Sequence, residues 1–185
     1  MARPRSKSDE EVMAATLRAV GAHGVAKLTL ADVAREAGLA PSTLAERFGS
    51  KRALLLAAAR SATRGVERAF ETDRAVCSPR DAAVEFLVAL AAPVSDRRAF
   101  AHHLALLELD VADPEFRAAA ADHVAAVMSR LRALGLTAGE ARRLYVAYNG
   151  ALVLWALTGP GSLEAALRAD LRVQAEAEAV ERPEP

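Results

Sequence analysis

The chain is punctuated throughout by signals that start and stop α-helices. Ser8 with Glu11 and Thr137 with Glu140 have the spacing of a capping box, in which two side chains satisfy backbone amides of the first turn. Glycines and prolines mark most of the other boundaries. The predicted helices cover approximately 9–24, 30–37, 41–48, 51–70, 79–92, 96–111, 114–134, 138–158 and a last segment from 163 into an acidic tail at 175–185. Because no segment shows the alternation of a strand, we predict an all-α protein of about nine helices.

The composition agrees with a helical protein and limits the classes of function. Ala, Leu and Val make up most of the apolar residues, and Ala and Leu favour helix. The only cysteine, Cys77, argues against an intrachain disulfide and a thiolate metal cluster. The uncharged stretch 144–163 is broken at Gly159-Pro160-Gly161, which leaves about fifteen helical residues where a membrane span needs about twenty. We therefore interpret it as a buried helix, and we expect a cytoplasmic protein because the N-terminus lacks the apolar run of a signal peptide.

Charge is distributed unevenly along the chain, although it cancels overall. The sequence has 24 basic and 24 acidic residues. Residues 1–60 carry a net charge of +4, and residues 61–185 carry a net charge of −4. Only the first third is therefore suited to binding a polyanion.

The second and third predicted helices form the most informative pair. Each is about two turns long, and the tight turn Gly38-Leu39-Ala40 joins them. This arrangement is typical of a helix-turn-helix, whose second helix can lie in a DNA major groove. The apolar residues available to pack the pair against the first helix are Val33, Ala34, Ala37, Leu39, Leu44 and Phe48.

Polar side chains of this segment are the candidate DNA contacts. They are Thr29, Ser42, Thr43, Glu46, Arg47, Ser50 and Lys51. Four of them are left on the outer side of the third helix, from which they can reach base edges or phosphates. Two others precede helices whose free amides favour phosphate. Each residue also has an ordinary interpretation as a helix cap or a solvated charge, but their combination with the tight turn favours DNA contact.

Residues 12–55 resemble the DNA-binding segment of the TetR family of bacterial regulators. The resemblance is carried by Gly24, Leu28-Thr29-Leu30, Val33-Ala34, Ala37-Gly38-Leu39-Ala40-Pro41, Thr43-Leu44, Phe48, Lys51 and Leu54. It implies a homodimer with a DNA-binding head built from the first three helices and a helical body that binds a small ligand. We accordingly predict a helix-turn-helix DNA-binding domain at residues 1–50 and a helical ligand-binding and dimerisation domain at residues 51–185.

Two positions depart from the family pattern. Family members usually carry Tyr after the Thr-Leu pair, where it helps to hold the DNA backbone, and this chain has Ala45. The next residue, Glu46, places a carboxylate on the helix that is expected to meet DNA. Glutamate can accept a hydrogen bond from cytosine N4, but it repels phosphate. The departures leave open an unusual operator, a lowered affinity or a loss of DNA binding.

The last two predicted helices carry the signal for dimerisation. The helix after Thr137 is apolar around its whole circumference, and a monomer of this size rarely covers a helix so fully. The final helix has one apolar stripe, formed by Leu163, Ala166, Leu167 and Leu171. In the family resemblance these two helices of each chain form a four-helix bundle, so we expect a homodimer through them. Ordinary packing within one chain is the alternative.

A ligand site in the body requires an apolar cavity with a few polar groups. The candidate residues are His102, Leu106, Tyr145, Asn149 and Trp155. Asn149 is the first choice because an amide in so apolar a helix needs a partner. For His102, a hydrogen bond to a nearby carbonyl is the competing interpretation. We expect a largely apolar small-molecule effector and neither a metal nor a cofactor.

These observations favour a ligand-responsive transcriptional repressor, which a small molecule releases from a palindromic operator in double-stranded DNA. The alternative is a dimeric helical protein that binds a ligand or a partner and has a weakened DNA-binding head, for which Ala45 and Glu46 are the support. An enzyme is disfavoured. The four histidines lack HExxH spacing, and the sequence has no nucleophile elbow or glycine-rich phosphate loop.

Overall fold

The computed structural model describes residues 7–68, 78–94, 96–159 and 161–180, and these ranges contain nine α-helices and no strand. The helices are α1 (Asp9–Lys27), α2 (Leu30–Ala37), α3 (Pro41–Phe48), α4 (Lys51–Arg68), α5 (Pro79–Leu90), α6 (Arg97–Ala112), α7 (Pro114–Ala133), α8 (Ala138–Thr158) and α9 (Leu163–Val180). The prediction of an all-α fold is therefore confirmed. Cys77 and the end of the tail, like the end predicted for the fourth helix at Phe70, lie outside the described residues.

Side-chain caps explain why these helices start where they do. Ser8 Oγ accepts a hydrogen bond from the backbone amide of Glu11 at 3.2 Å, and the Glu11 carboxylate accepts one from the amide of Ser8 at 2.9 Å. Thr29 and Thr137 form the same reciprocal pairs with the acidic residues three positions later. Because such a cap contributes about 1 kcal/mol through contacts within one turn, the local sequence is sufficient to position these helix starts.

Gly24 interrupts α1 and does not end it. Its φ of 72° and ψ of 153° are not helical, yet one further turn follows as far as Lys27. The backbone amide of Leu28 then donates to the Gly24 carbonyl at 3.0 Å, and the Leu28 side chain is buried. The first helix predicted to end at Gly24 is therefore extended by a kinked turn, which packing of Leu28 stabilises.

The described helices pack into two compact units, each with its own core. The first unit lies within Met1–Arg64 and Arg98–Asp122. Its core combines side chains of α1–α4 with Phe116 and Ala119 of α7, and α6 packs against it through Leu106 and Leu109. The unit that holds α1–α3 is thus larger than the DNA-binding domain predicted at residues 1–50. The functional boundary at residue 50 stays a prediction.

The second unit lies within Gly65–Arg97 and His123–Pro185. In it α9 packs against both α5 and α8. The fully buried side chains of this unit include Phe86, Leu87, Leu131, Leu167 and Leu171. Arg168 on α9 also holds Glu85 on α5 through its Nε and Nη2 atoms, with a shortest N···O distance of 2.8 Å.

One side of α8 is buried in this unit and the other is exposed. Leu144, Tyr148, Ala151, Leu152 and Trp155 are buried. Val146, Val153, Leu154 and Leu157 are exposed, Leu157 to 78%. The helix expected to be buried all round is thus covered on one side within a single chain. Among the described residues, no helix combines the length and the apolar character that crossing a membrane requires.

Candidate nucleic-acid interface

A hydrogen-bonded turn at Gly38 connects α2 and α3 and sets their relative orientation. Gly38 adopts the left-handed conformation, with φ 68° and ψ 37°, which favours glycine at this position. The backbone amide of Leu39 donates to the carbonyl of Ala34 at 2.8 Å. A carbonyl at the C-terminal end of α2 thus has a hydrogen-bond partner, as in a Schellman motif. Pro41 then occupies the first turn of α3, where its missing amide costs nothing. The helix-turn-helix predicted from the sequence is present.

The two sides of α3 differ sharply in burial. Leu44 is fully buried and Phe48 is half-buried against the core of the first unit. Ser42, Thr43 and Glu46 are exposed. At 100° per residue, Glu46 lies about 200° around the helix from Leu44 and so occupies the middle of the outer side. Three of the four residues predicted to face outward therefore share one solvent-facing surface.

Arg47 is bound to the start of α1. Its guanidinium forms an ion pair with Asp9 and donates a hydrogen bond of 2.7 Å from Nη1 to the carbonyl oxygen of Lys7. The same group lies 5.6 Å from the centre of the Phe48 ring. Arg47 thus connects the end of the candidate recognition helix to the beginning of the chain's first helix.

Lys51 makes a second connection to α1. Its Nζ donates a hydrogen bond of 3.0 Å to the carbonyl oxygen of Val25, in the turn that follows the Gly24 kink. Because the side chain is half-buried there, it anchors the start of α4 against the end of α1. A lysine that the sequence assigns to DNA therefore already has a partner inside the protein.

The predicted caps Thr29 and Ser50 both act as caps. Thr29 Oγ1 accepts a hydrogen bond from the Asp32 amide at 3.2 Å. The Thr29 hydroxyl and backbone amide donate to the Asp32 carboxylate at 2.6 Å and 3.0 Å, and these two bonds lower the pKa of that carboxyl group. Ser50 Oγ accepts from the Ala53 amide at 3.1 Å. Both residues are exposed, so capping leaves them accessible to a phosphate.

Carboxylates neutralise much of the basic charge of the first unit. Arg52 Nη2 lies 2.7 Å from Asp113 and 2.8 Å from Glu115. The hydrogen bonds from Arg52 lower the pKa of Asp113. Arg18 pairs with Glu36 on α2 in the same way, at 2.7 Å. The sequence does not indicate the Arg52–Asp113 pair, because nothing local marks two residues that are 61 positions apart as neighbours.

Two of the five candidate ligand residues, His102 and Leu106, belong to the first unit. His102 Nδ1 donates a hydrogen bond of 2.6 Å to the carbonyl oxygen of Gly21 on α1. Leu106 is partly buried against the core. The structure thus contains the competing arrangement that the sequence allowed for His102, a histidine hydrogen-bonded to a nearby carbonyl.

The other three candidates, Tyr145, Asn149 and Trp155, lie on α8 in the second unit. Asn149 is exposed, and its Nδ2 donates to the Tyr145 carbonyl of its own helix at 2.8 Å. Tyr145 is half-buried, and burial raises its pKa. Trp155 is buried, with its Nε1 donating to the Gly161 carbonyl at 3.2 Å. The amide of Asn149 thus finds the required partner one turn earlier in the same helix. Among the described residues no cluster of His, Cys, Asp and Glu could hold a metal ion.

The N-terminal segment and the fold both resemble those of known regulators. Residues 12–58 match the family described as bacterial regulatory proteins, tetR family. A TetR-family member from Streptomyces coelicolor A3 has a similar structure, with a TM-score of 0.61 and 26% identity over 88% of this chain and 95% of that chain. Residues 12–58 therefore belong to the tetR family of bacterial regulatory proteins, and the described fold resembles that of a TetR-family member.

Other relatives show how far the similarity extends. The HTH-type transcriptional regulator BetI of Agrobacterium fabrum (strain C58 / ATCC 33970) is 44% identical over 54 residues, which are 29% of this chain and 26% of that protein. The match thus spans only about a quarter of that curated relative. A TetR transcription regulator from Haloarcula marismortui ATCC 43049 shares the fold, with a TM-score of 0.68 at 19% identity over 92% of this chain and 96% of that one. The multidrug binding protein EbrR, complexed with ethidium, has a TM-score of 0.62 at 26% identity. The similarity covers 89% of this chain and 97% of the EbrR chain.

Proposed function

We propose that this TetR-family protein is a ligand-responsive DNA-binding transcriptional regulator, a repressor that a small molecule releases from a palindromic operator. The observation that carries the proposal is the outer surface of α3, where Ser42, Thr43 and Glu46 are exposed opposite the buried Leu44. A short helix with a polar outer side and a closed turn before it suits the major groove. A repressor of this kind acts in the cytoplasm, where bacterial DNA lies.

The proposed regulator is a homodimer through α8 and α9. The exposed apolar side chains of α8, with Leu157 the most exposed, support this arrangement because a partner chain would remove them from water. Two heads related by a twofold axis would lie in successive major grooves, about 34 Å apart. The operator would then be a near-palindrome.

The proposed effector is a largely apolar small molecule bound in the body. The complexes of EbrR with proflavin and with ethidium support a small organic effector for this chain. Tyr145, Asn149 and Trp155 remain proposed contacts within the second unit. His102 and Leu106 remain separate candidates within the first unit. Release of DNA requires that the effector bind one conformation of the protein more tightly than the other. Equal affinity for both conformations would leave their equilibrium unchanged.

The first test selects bound fragments from the sheared genomic DNA of the source organism and then measures affinity by fluorescence anisotropy across a salt series. A regulator enriches a palindrome whose affinity falls steeply as the salt concentration rises. Absence of enrichment even at low salt contradicts the proposal. It favours the alternative, a helical ligand- or partner-binding dimer with a weakened head, for which the ion pairs of Arg18 and Arg52 are structural support.

Two variants then distinguish contact with phosphate from positioning of the helices. Loss of one phosphate contact lowers the slope of log K against log salt by about 0.9. A residue that only holds α3 or α4 against α1 lowers the affinity and leaves the slope unchanged. We expect the second pattern for Arg47→Ala and Lys51→Ala, because both side chains already bind α1. Arg132→Ala, an exposed arginine of the second unit, is the control and should change neither quantity.

A further inference from the structure

Glu46 occupies the centre of the surface that would face the bases. It lies about 200° from the buried Leu44 around the axis of α3, between Ser42 and Thr43 on the outer side. All three outward side chains are exposed. If α3 enters a major groove, as in the proposed function, the carboxylate of Glu46 is the charged group that approaches the base edges most directly.

Nothing on the same helix neutralises this carboxylate. The residues one turn away from Glu46 are Ser42, Thr43, Gly49 and Ser50, all uncharged. The adjacent Arg47 is directed to Asp9 and to the Lys7 carbonyl. Glu46 therefore brings a negative charge towards DNA phosphates, and a specific complex forms only if the carboxylate gains a favourable contact in the groove.

The chemistry of the major groove limits what that contact can be. An ionised carboxylate only accepts hydrogen bonds. Guanine presents two acceptors, O6 and N7, and thymine presents O4 and a methyl group, so neither offers it a donor. Adenine offers its N6 amino group beside the N7 acceptor, a combination that suits an amide better than a carboxylate. Cytosine offers the N4 amino group without an acceptor next to it on the same base.

We propose that Glu46 determines operator specificity by accepting a hydrogen bond from the N4 amino group of a cytosine in each half-site. The inference rests on the proposed function, because it requires that α3 bind in the major groove. The carboxylate then acts twice. It favours cytosine at one position, and it opposes binding to DNA that presents an acceptor there.

The test measures base preference at every position of the selected operator for the wild-type protein, Glu46→Ala and Glu46→Gln. The wild-type protein should favour cytosine at one position of each half-site by about 5- to 150-fold, which corresponds to the discrimination of a good base contact. Glu46→Ala should lose the preference at that position alone and should bind non-cognate DNA more tightly. Glu46→Gln should shift the preference to adenine, since glutamine pairs with adenine N6 and N7.

Glu108→Gln, which removes an exposed carboxylate of α6, is the matched control and should keep the wild-type preferences. Thermal unfolding of each variant verifies that the exposed substitutions leave the fold intact. An operator that is bound with the same base preferences by the wild-type protein and Glu46→Ala overturns this inference and leaves the proposed function standing. A uniform gain of affinity in Glu46→Ala also overturns it, because the carboxylate is then only repulsive. Absence of specific binding by the wild-type protein at low salt overturns both proposals.

Discussion

Replacing Gly24 with alanine should destabilise the first unit through two separate effects. The residue has φ 72° and ψ 153°, a combination that is close to exclusive to glycine and costs other residues about 1–3 kcal/mol. A Cβ atom at this position would also lie 2.8 Å from Cδ2 of His102 and 3.1 Å from its Nε2. The imidazole cannot withdraw freely, because its Nδ1 is bound to the Gly21 carbonyl.

The expected magnitude follows from these contacts. Moving the ring aside sacrifices a hydrogen bond with a net contribution of about 1 kcal/mol. The alanine also lowers the entropy of the unfolded chain, which offsets about 0.4–1 kcal/mol. The free energy of unfolding of Gly24→Ala should therefore fall by about 1–3 kcal/mol. Urea denaturation followed by circular dichroism measures this fall as a lower midpoint at an unchanged m value.

Gly21→Ala is the matched control, one turn earlier on the same helix. A Cβ atom there would meet nothing within 4 Å, and the residue lies in a helical segment. The substitution should therefore stabilise the protein by about 0.5–1 kcal/mol. Equal stability of Gly24→Ala and the wild-type protein would refute the reasoning. In a His102→Ala background, Gly24→Ala should cost about 1 kcal/mol less than in the wild-type protein, because the ring and its hydrogen bond are already absent. An equal cost in both backgrounds would show that the clash does not contribute.

Two further predictions concern the core of the first unit and an ion pair of the second unit. Phe116→Ala should lower the free energy of unfolding by about 3–5 kcal/mol in the same urea assay, because the ring is fully buried, and half-buried Phe48→Ala should cost less. The hydrogen bonds from Arg168 lower the pKa of Glu85 below its ordinary value of 4.5, so this pair stabilises the fold above that pH and loses its effect as the pH falls through the lowered pKa. Arg168→Ala should flatten the loss of stability as the pH falls below 4.5. If Arg168→Ala had the same pH dependence as the wild-type protein, the Arg168–Glu85 pair would not contribute to stability in this pH range.

The helix-turn-helix shows how far local sequence information reaches. The predicted bounds of its two helices, 30–37 and 41–48, agree with those observed. The closed turn at Gly38 and the proline at the start of α3 act within one turn, so they can be recognised without knowing what lies around them. The burial of Leu44 and the exposure of Ser42 follow from the same helical period.

The role of the charged side chains could not be predicted in this way. The sequence offers Arg47 and Lys51 as DNA contacts, whereas in the structure the first binds Asp9 and the Lys7 carbonyl and the second binds the Val25 carbonyl. A long basic side chain can reach many partners. Which one it meets depends on helices that the local pattern does not relate to each other.

Local sequence is sufficient to predict the helical class, the helix starts set by caps, the turn at Gly38 and the apolar side of each short helix, because these depend on residues three or four positions apart. Helix packing, in contrast, determines that Lys51 anchors α1 and that His102 binds a carbonyl of α1. These contacts join residues 26 and 81 positions apart. Their formation depends on the packing of whole helices, which brings together groups that no local signal connects.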